Sequence, residues 1–340
     1  MPDVHGLLEP ILALHDRIRS SVVDACTRQS AEMLSAVAAE DASDTIYRID
    51  RVSEEILIDG LRDVARDEPL CVMAEGIEGG TQVLPEGASE ADCRWRVLVD
   101  PIDGTRGIMY QKRSAWILTG VAPNRGSDTR LRDIVLGVQT EIPLVKQHLS
   151  DQAWAFRGEG AVARRFDRLA GTYSPLALRP SRAESLAHGF ASVSRFFPGA
   201  RDVLASIDDE IITELLGPPE PGKAACFEDQ YLSTGGQLYE LMAGHDRFIA
   251  DIRPLTRGLH ASRGLPAPLC CHPYDLSSVL IAEELGVEIA GPNGERLDGP
   301  FDLTADMSWV GYANRQLRTR AEPALQGALR RRGMLPVVPL

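Results

Sequence analysis

Six consecutive residues, Asp100-Pro101-Ile102-Asp103-Gly104-Thr105, place two carboxylates three positions apart, then a glycine, then a hydroxyl. They follow directly on Val97-Leu98-Val99, an apolar run of the kind buried on both faces of a sheet. Pro101 has no N–H to give a ladder and a fixed φ, so the strand is expected to stop there. The turn then brings Asp100 and Asp103 towards one side at the strand's carboxyl end. Gly104 lets the backbone come close to a ligand with two amide N–H groups exposed. Hard cations take oxygen ligands and phosphates take backbone N–H groups, so one turn offers both. An acidic surface turn would explain the spacing alone. A dry strand leading straight into the turn shifts the reading to a cation site, because carboxylates this close repel unless a cation sits between them.

Four further acids sit at element ends. Leu70-Cys71-Val72-Met73-Ala74 reads as a second buried strand, and Glu75 follows it. Asp50 lies at or near the start of a helix marked by Val52, Ile56, Leu57, Leu61 and Val64. Asp275 opens a helix with Leu276, Val279 and Leu280 on its apolar face, closed by Gly286. A helix start favours a carboxylate, so a plain cap is the structural alternative for Asp50 and Asp275. Asp251 ends a strand over 247–253, where it either pairs with Arg253 or meets a ligand.

The six-residue turn resembles the signature of the inositol monophosphatase superfamily. Its members are Mg²⁺-dependent, often lithium-sensitive phosphomonoesterases acting on inositol phosphates, fructose bisphosphate, histidinol phosphate or 3′-phosphonucleotides. The resemblance covers residues 40 to about 290, with Glu75, Asp100, Asp103 and Asp275 falling in the family's order. Asp44 and Asp50 are similar to the family's paired acids. Pro273-Tyr274-Asp275-Leu276-Ser277-Ser278 resembles its second signature, with Tyr274 for Trp and Ser277-Ser278 for an Ala pair. Gly76 replaces the second Glu of a Gly-Glu-Glu motif, a position Glu78 could approach. Arg106-Gly107-Ile108 stands where many inositol phosphatases have Thr-Asn-Phe, and Gly-Thr-Arg resembles histidinol-phosphatase-like members.

The resemblance implies an α/β (α+β) chain in the layered α-β-α-β-α sugar-phosphatase fold, with two sheet-containing lobes at 1–178 and 179–340. It implies a phosphoric monoester hydrolase using two or three Mg²⁺ ions to activate water. The implied metal ligands are Glu75, Asp100, the Ile102 carbonyl, Asp103 and Asp275. The implied catalytic set is Thr105, polarised by Asp50, with Glu75. Gly104 and Thr105 N–H groups would hold phosphate oxygens, with Asp103 and Asp275 beside them, and Asp251 would accept from substrate hydroxyls. The partner is a small phosphorylated metabolite, and a homodimer is expected. The rival reading is a phosphate-sugar or nucleotide binding protein that has lost catalysis. The Asp50–Thr105 pair argues against it, since a binder has no use for a water activator.

The elements around these residues are expected as follows. Residues 4–40 form one or two amphipathic helices carrying His15 as a satisfied helix histidine. Strands lie near 116–121 and 134–138, and a hairpin spans 151–161. Residues 162–190 read as a basic, irregular connector, and 191–194 as a strand. Helices are expected over 199–216, 235–244 and 315–332. Residues 254–272 are rich in Pro, Gly and Arg, fitting a lid or a dimer contact. Lys112 and Arg113 are either solvated charges or contacts for a second anionic group.

Of the chain's 340 residues, 44% are hydrophobic, ordinary for a globular protein, and the formal net charge is −13. That charge argues against nucleic acid or anionic membrane as partners. It leaves an anionic substrate open, because a bound metal reverses the local field. None of the six cysteines forms a C-x-x-C pair, so neither a disulfide framework nor a zinc site is expected. With no signal-like or membrane-spanning run, a cytoplasmic protein is expected.

Overall fold

The computed structural model describes residues 3–40, 45–66, 68–75, 77 and 79–336. Asp44, Gly76 and Glu78 lie outside the described residues.

Two helices form the outer layer. Helix α1 (Leu8–Arg28) buries Ile11, Leu12, Leu14, Ile18 and Val22 at helical spacing. After short α2 (Ala31–Leu34) and a small antiparallel pair, β1 (Val37–Glu40) and β2 (Thr45–Tyr47), comes α3 (Arg48–Val64), with Ile49, Leu57, Leu61 and Val64 buried. His15 is fully buried, held by Thr140 at 2.9 Å and Thr119 at 2.8 Å. Burial, then the nearby Arg19 charge, lowers its pKa to about 3, so the ring is neutral and structural.

These helices cover an eight-stranded sheet. Its strands are β3 (Leu70–Ala74), β4 (Thr81–Leu84), β5 (Trp95–Asp103), β6 (Ala115–Pro123), β7 (Leu136–Ile142), β8 (Leu149–Phe156), β9 (Gly160–Asp167) and β10 (Thr172–Leu176), with short α4 (Thr105–Met109) between β5 and β6. The order is β10-β9-β8-β7-β6-β5-β3-β4. Only β3 and β5 run parallel within it, with Ala74 opposite Val99. That register puts Glu75 level with Asp100 at the same sheet end. All nine residues of β5 are buried: Val97 and Val99 pack towards α1 and α3, and Leu98 towards the other face.

The second sheet has the order β11-β12-β14-β13, from β11 (Phe190–Val193), β12 (Asp246–Asp251), β13 (Glu288–Ala290) and β14 (Trp309–Tyr312). Between the sheets lie α6 (Thr234–Met242) and α8 (Val279–Glu284), whose Leu238, Leu241, Leu280 and Ile281 join both in one core. Outside it pack α5 (Arg201–Leu216) and α9 (Arg315–Arg331), and α7 (Arg257–Ser262) follows β12. The layering is α-β-α-β-α, as expected. Among the described residues no helix is long and apolar enough to cross a membrane.

Two local expectations are corrected. Of the expected irregular connector 162–190, residues 162–176 are instead a hairpin of the sheet, which β9 and β10 extend, while 177–189 hold no helix or strand. The arginines of β9 are partnered across strands, Arg165 with Asp151 at 2.6 Å and Arg164 against the Tyr173 ring at 3.9 Å, so strand alternation was hidden by charge. Strand β5 also does not end at Pro101. Asp100 pairs with Leu118 and Asp103 with Trp116, so β5 has one extra residue and bulges where proline lacks its N–H.

Candidate active site

The bulge at the end of β5 turns Asp100 and Asp103 into one cleft of about 90 Å³, lined also by Asp50, Glu75, Ile102, Gly104, Thr105 and Asp275. Carboxylate oxygens of Asp100, Asp103 and Asp275 lie within 4.8 Å of one another. Gly104 makes the turn at φ +96°, and a Cβ there would meet Ser233 Cβ at 3.0 Å. Both the dihedral and the space therefore demand glycine.

Each acid is held by backbone of its own or a neighbouring element. Asp100 Oδ1 accepts from Ile102 N at 3.0 Å. Asp275 Oδ2 accepts from His272 N at 2.6 Å, at the start of the 3₁₀ turn Pro273–Leu276. Asp103 reaches 130 residues along the chain to the start of α6. Its Oδ2 accepts from Ser233 Oγ at 2.8 Å and Gly235 N at 2.5 Å, and its Oδ1 from Thr234 N at 3.3 Å. A Cβ on Gly235 would sit 2.9 Å from Asp103 Oδ2 and 2.6 Å from Leu118, so glycine allows this approach. Sequence reading missed Ser233, Thr234 and Gly235 as supports. Their only signal was a Ser N-cap before a Gly pair at a helix start.

Electrostatics mark the cluster. Burial first, then the charges of Asp103, Glu75 and Asp275, push the Asp100 carboxyl well above its ordinary range. Burial and Asp275 push Asp103 up despite its three donors, and burial raises Asp275. The protein thus confines negative charge where it is costly, and an ion that neutralises it is stabilised in return. The donors are oxygens only, the set a hard divalent cation prefers. Glu75 lines the same cleft and acts on Asp100, outside the tight trio.

Beside the cluster, Thr105 Oγ1 lies 2.9 Å from both Asp50 Oδ1 and the Ile102 carbonyl. Both are acceptors, so the hydroxyl's single proton is committed and its lone pairs remain to accept from water. Asp50 Oδ2 accepts from Tyr47 N at 2.7 Å, which fixes this carboxylate at the start of α3.

No protein-family model and no curated protein sequence matches this chain. Solved structures do. Fructose-1,6-bisphosphatase from Leishmania major in holo form aligns with TM-score 0.68 over 95% of this chain and 94% of that one, at 13% identity. Extragenic suppressor protein suhB from Bartonella henselae gives 0.63 over 94% and 98%, at 16% identity. An IMPase from Thermotoga maritima gives 0.60 over 95% and 98%, at 15% identity. The fold is that of the inositol monophosphatase superfamily. Within this fold the cleft sits where the eight-stranded sheet, α6 and the Pro273–Leu276 turn converge.

The other expected residues fall as follows. Asp251 is fully buried, and Arg253 holds its two oxygens at 2.8 and 2.6 Å. Asp251, expected to accept from substrate hydroxyls, is not among the residues lining the cleft, whereas Arg253, which it holds, is. Lys112 and Arg113 line a different pocket, with Arg113 paired to Asp229. The 254–272 segment supplies Leu269, Cys270 and His272 to the cleft wall. All six cysteines are free thiols.

Proposed function

We propose that this chain is a Mg²⁺-dependent phosphatase that hydrolyses a small phosphate monoester of the inositol-phosphate or sugar-phosphate type. The observation that carries the reading is the buried Asp100–Asp103–Asp275 cluster set beside the Thr105–Asp50 pair in one cleft. The cluster would hold the metal, with Glu75 and the Ile102 carbonyl alongside. Bound there, Mg²⁺ supplies positive charge to phosphoryl oxygens and lowers the pKa of water. Thr105 Oγ1 accepts a hydrogen bond from the attacking water and passes charge relief to Asp50. The N–H of Thr105 begins α4 and has no acceptor within that helix, so with Gly104 N–H it suits a phosphate oxygen. Gly235 and Ser233 keep Asp103 in place throughout.

Phosphate release from a panel of inositol, sugar, nucleotide and histidinol phosphates tests the reading, run with Mg²⁺, with EDTA and with Li⁺. Release that needs Mg²⁺ supports it. No release from any member, with Mg²⁺ still raising the melting temperature, would assign the cleft to binding alone.

Metal removal carries a pH signature. Burial lifts the Asp103 and Asp275 carboxyls from their ordinary 3.8 to about 7 and about 6 in the fold. Between these values the folded, metal-free chain binds more protons than the unfolded one, so its stability falls as pH rises from about 4 to 7. Mg²⁺ offsets that loss only where the acids are ionised. The melting-temperature gain from Mg²⁺ is therefore larger at pH 8 than at pH 5, by thermal scans in matched buffers. An equal gain at both pH values would place Mg²⁺ elsewhere.

A further inference from the structure

The cleft holds cations as well as acids, and this bears on which ester it accepts; the inference rests on the phosphatase reading. Arg106, Arg253, Phe196 and Phe197 line the same cleft as the acidic cluster. The Arg106 and Arg253 guanidinium carbons lie 5.4 and 5.5 Å from one ring, that of Phe197. Phe196 lies 5.0 Å from Arg253, and Tyr47 lies 5.6 Å from Arg106. Aromatic faces grip a guanidinium without using its N–H donors, which lie in its plane. Both guanidinium groups thus belong to the wall of the cleft that holds the acidic cluster.

Arg253 can be followed donor by donor. Its Nε and Nη2 donate to Asp251 at 2.8 and 2.6 Å, and its Nη1 donates to the Leu269 carbonyl at 2.8 Å. A guanidinium has five N–H groups, so two remain for a ligand. Asp251, fully buried, acts as a positioning residue that fixes Arg253 against the cleft. A neutral polyol offers these donors no charge. A carboxylate or phosphate does, and Arg binds either through paired N–H groups.

We propose that Arg106 and Arg253 form an anion subsite, so that the cleft selects phosphate monoesters whose alcohol part carries a second anionic group. The acidic cluster takes the phosphoryl end and the arginine–phenylalanine wall takes the other.

Two matched pairs of esters test it: glycerol 3-phosphate against 3-phosphoglycerate for a carboxylate, and fructose 1-phosphate against fructose 1,6-bisphosphate for a phosphate. In at least one pair the wild type favours the charged member about tenfold or more in kcat/KM. Arg106→Gln lowers kcat/KM on that member about 10- to 100-fold, mainly through KM, and shifts its uncharged counterpart less than about threefold. Arg253→Gln alone strands the buried Asp251 charge, so the neutral pair Asp251→Asn with Arg253→Gln is used, with the same expected pattern. Equal kcat/KM within both pairs, or equal losses on both members, overturns the subsite while leaving the phosphatase reading intact. If no ester is hydrolysed, that reading fails, and calorimetric binding of 3-phosphoglycerate and fructose 1,6-bisphosphate decides the subsite. Binding that Arg106→Gln weakens about tenfold supports it, and unchanged or absent binding overturns it.

Discussion

Asp103→Asn is expected to lower turnover on the order of 10³-fold while the protein keeps its metal-free melting temperature, since several kcal/mol of charge stabilisation pass through the metal this cluster holds. The geometry separates the two effects. An asparagine oxygen placed at the Oδ2 position still accepts from Ser233 Oγ and Gly235 N, the two shorter contacts. Its amide nitrogen then faces Thr234 N, where the carboxylate's contact is already long at 3.3 Å. Repulsion from Asp275, which raises the carboxyl in the wild type, is removed. The fold therefore loses little and is relieved of a charge. What is lost is one anionic ligand, so the Mg²⁺-induced rise in melting temperature should shrink with the turnover. Phosphate release and thermal scans with and without EDTA read both. Near-normal turnover in the variant would remove Asp103 from the site.

How far the sequence reveals this site depends on where each contact's partner lies. Asp100, Asp103 and Thr105 were legible because strand and turn are local, though the bulge that joins them was not, and Glu75 because an apolar strand announces the acid that follows it. Asp275 was legible for the same reason, as an acid at a helix start. The parallel pairing of β3 with β5 that sets Glu75 level with Asp100 is a tertiary fact, and nothing in either strand's residues announces it. The supports of Asp103 lie 130 to 132 residues away, and nothing local to Ser233 or Gly235 names the oxygen they meet. Asp251 shows the converse. Its spacing to Arg253 permitted either a pair or a ligand contact, and burial decided for the pair, because an unpaired carboxylate with no solvent exposure is too costly to keep ionised. Strand β9 was missed because Arg164 and Arg165 fill positions where alternation is usually read from apolar residues, and β10 because Pro175 speaks against a strand. Those arginines gain partners only once β8 and Tyr173 are beside them.

Thr105→Val tests the water activator with the least disturbance, since it removes one hydroxyl and keeps the volume. Turnover should fall about 10²- to 10⁴-fold, the range for losing a positioned proton acceptor. The Mg²⁺-induced rise in melting temperature should stay, because Thr105 lies outside the acidic trio. Asp50→Asn is expected to act through the same hydroxyl. Its oxygen can keep the bond from Tyr47 N, which holds the start of α3. Its amide would then donate to Thr105 Oγ1 where the carboxylate accepted, occupying the lone pair meant for water. The threonine hydroxyl then donates to the Ile102 carbonyl, its other acceptor, so the chain stays folded and the hydroxyl is turned the wrong way. Because both changes disable one device, the double variant should be no slower than the worse single variant. Losses that multiply would mean that Asp50 and Thr105 serve separate steps. Full turnover in Thr105→Val would leave the acidic cluster to activate water without help from the hydroxyl beside it.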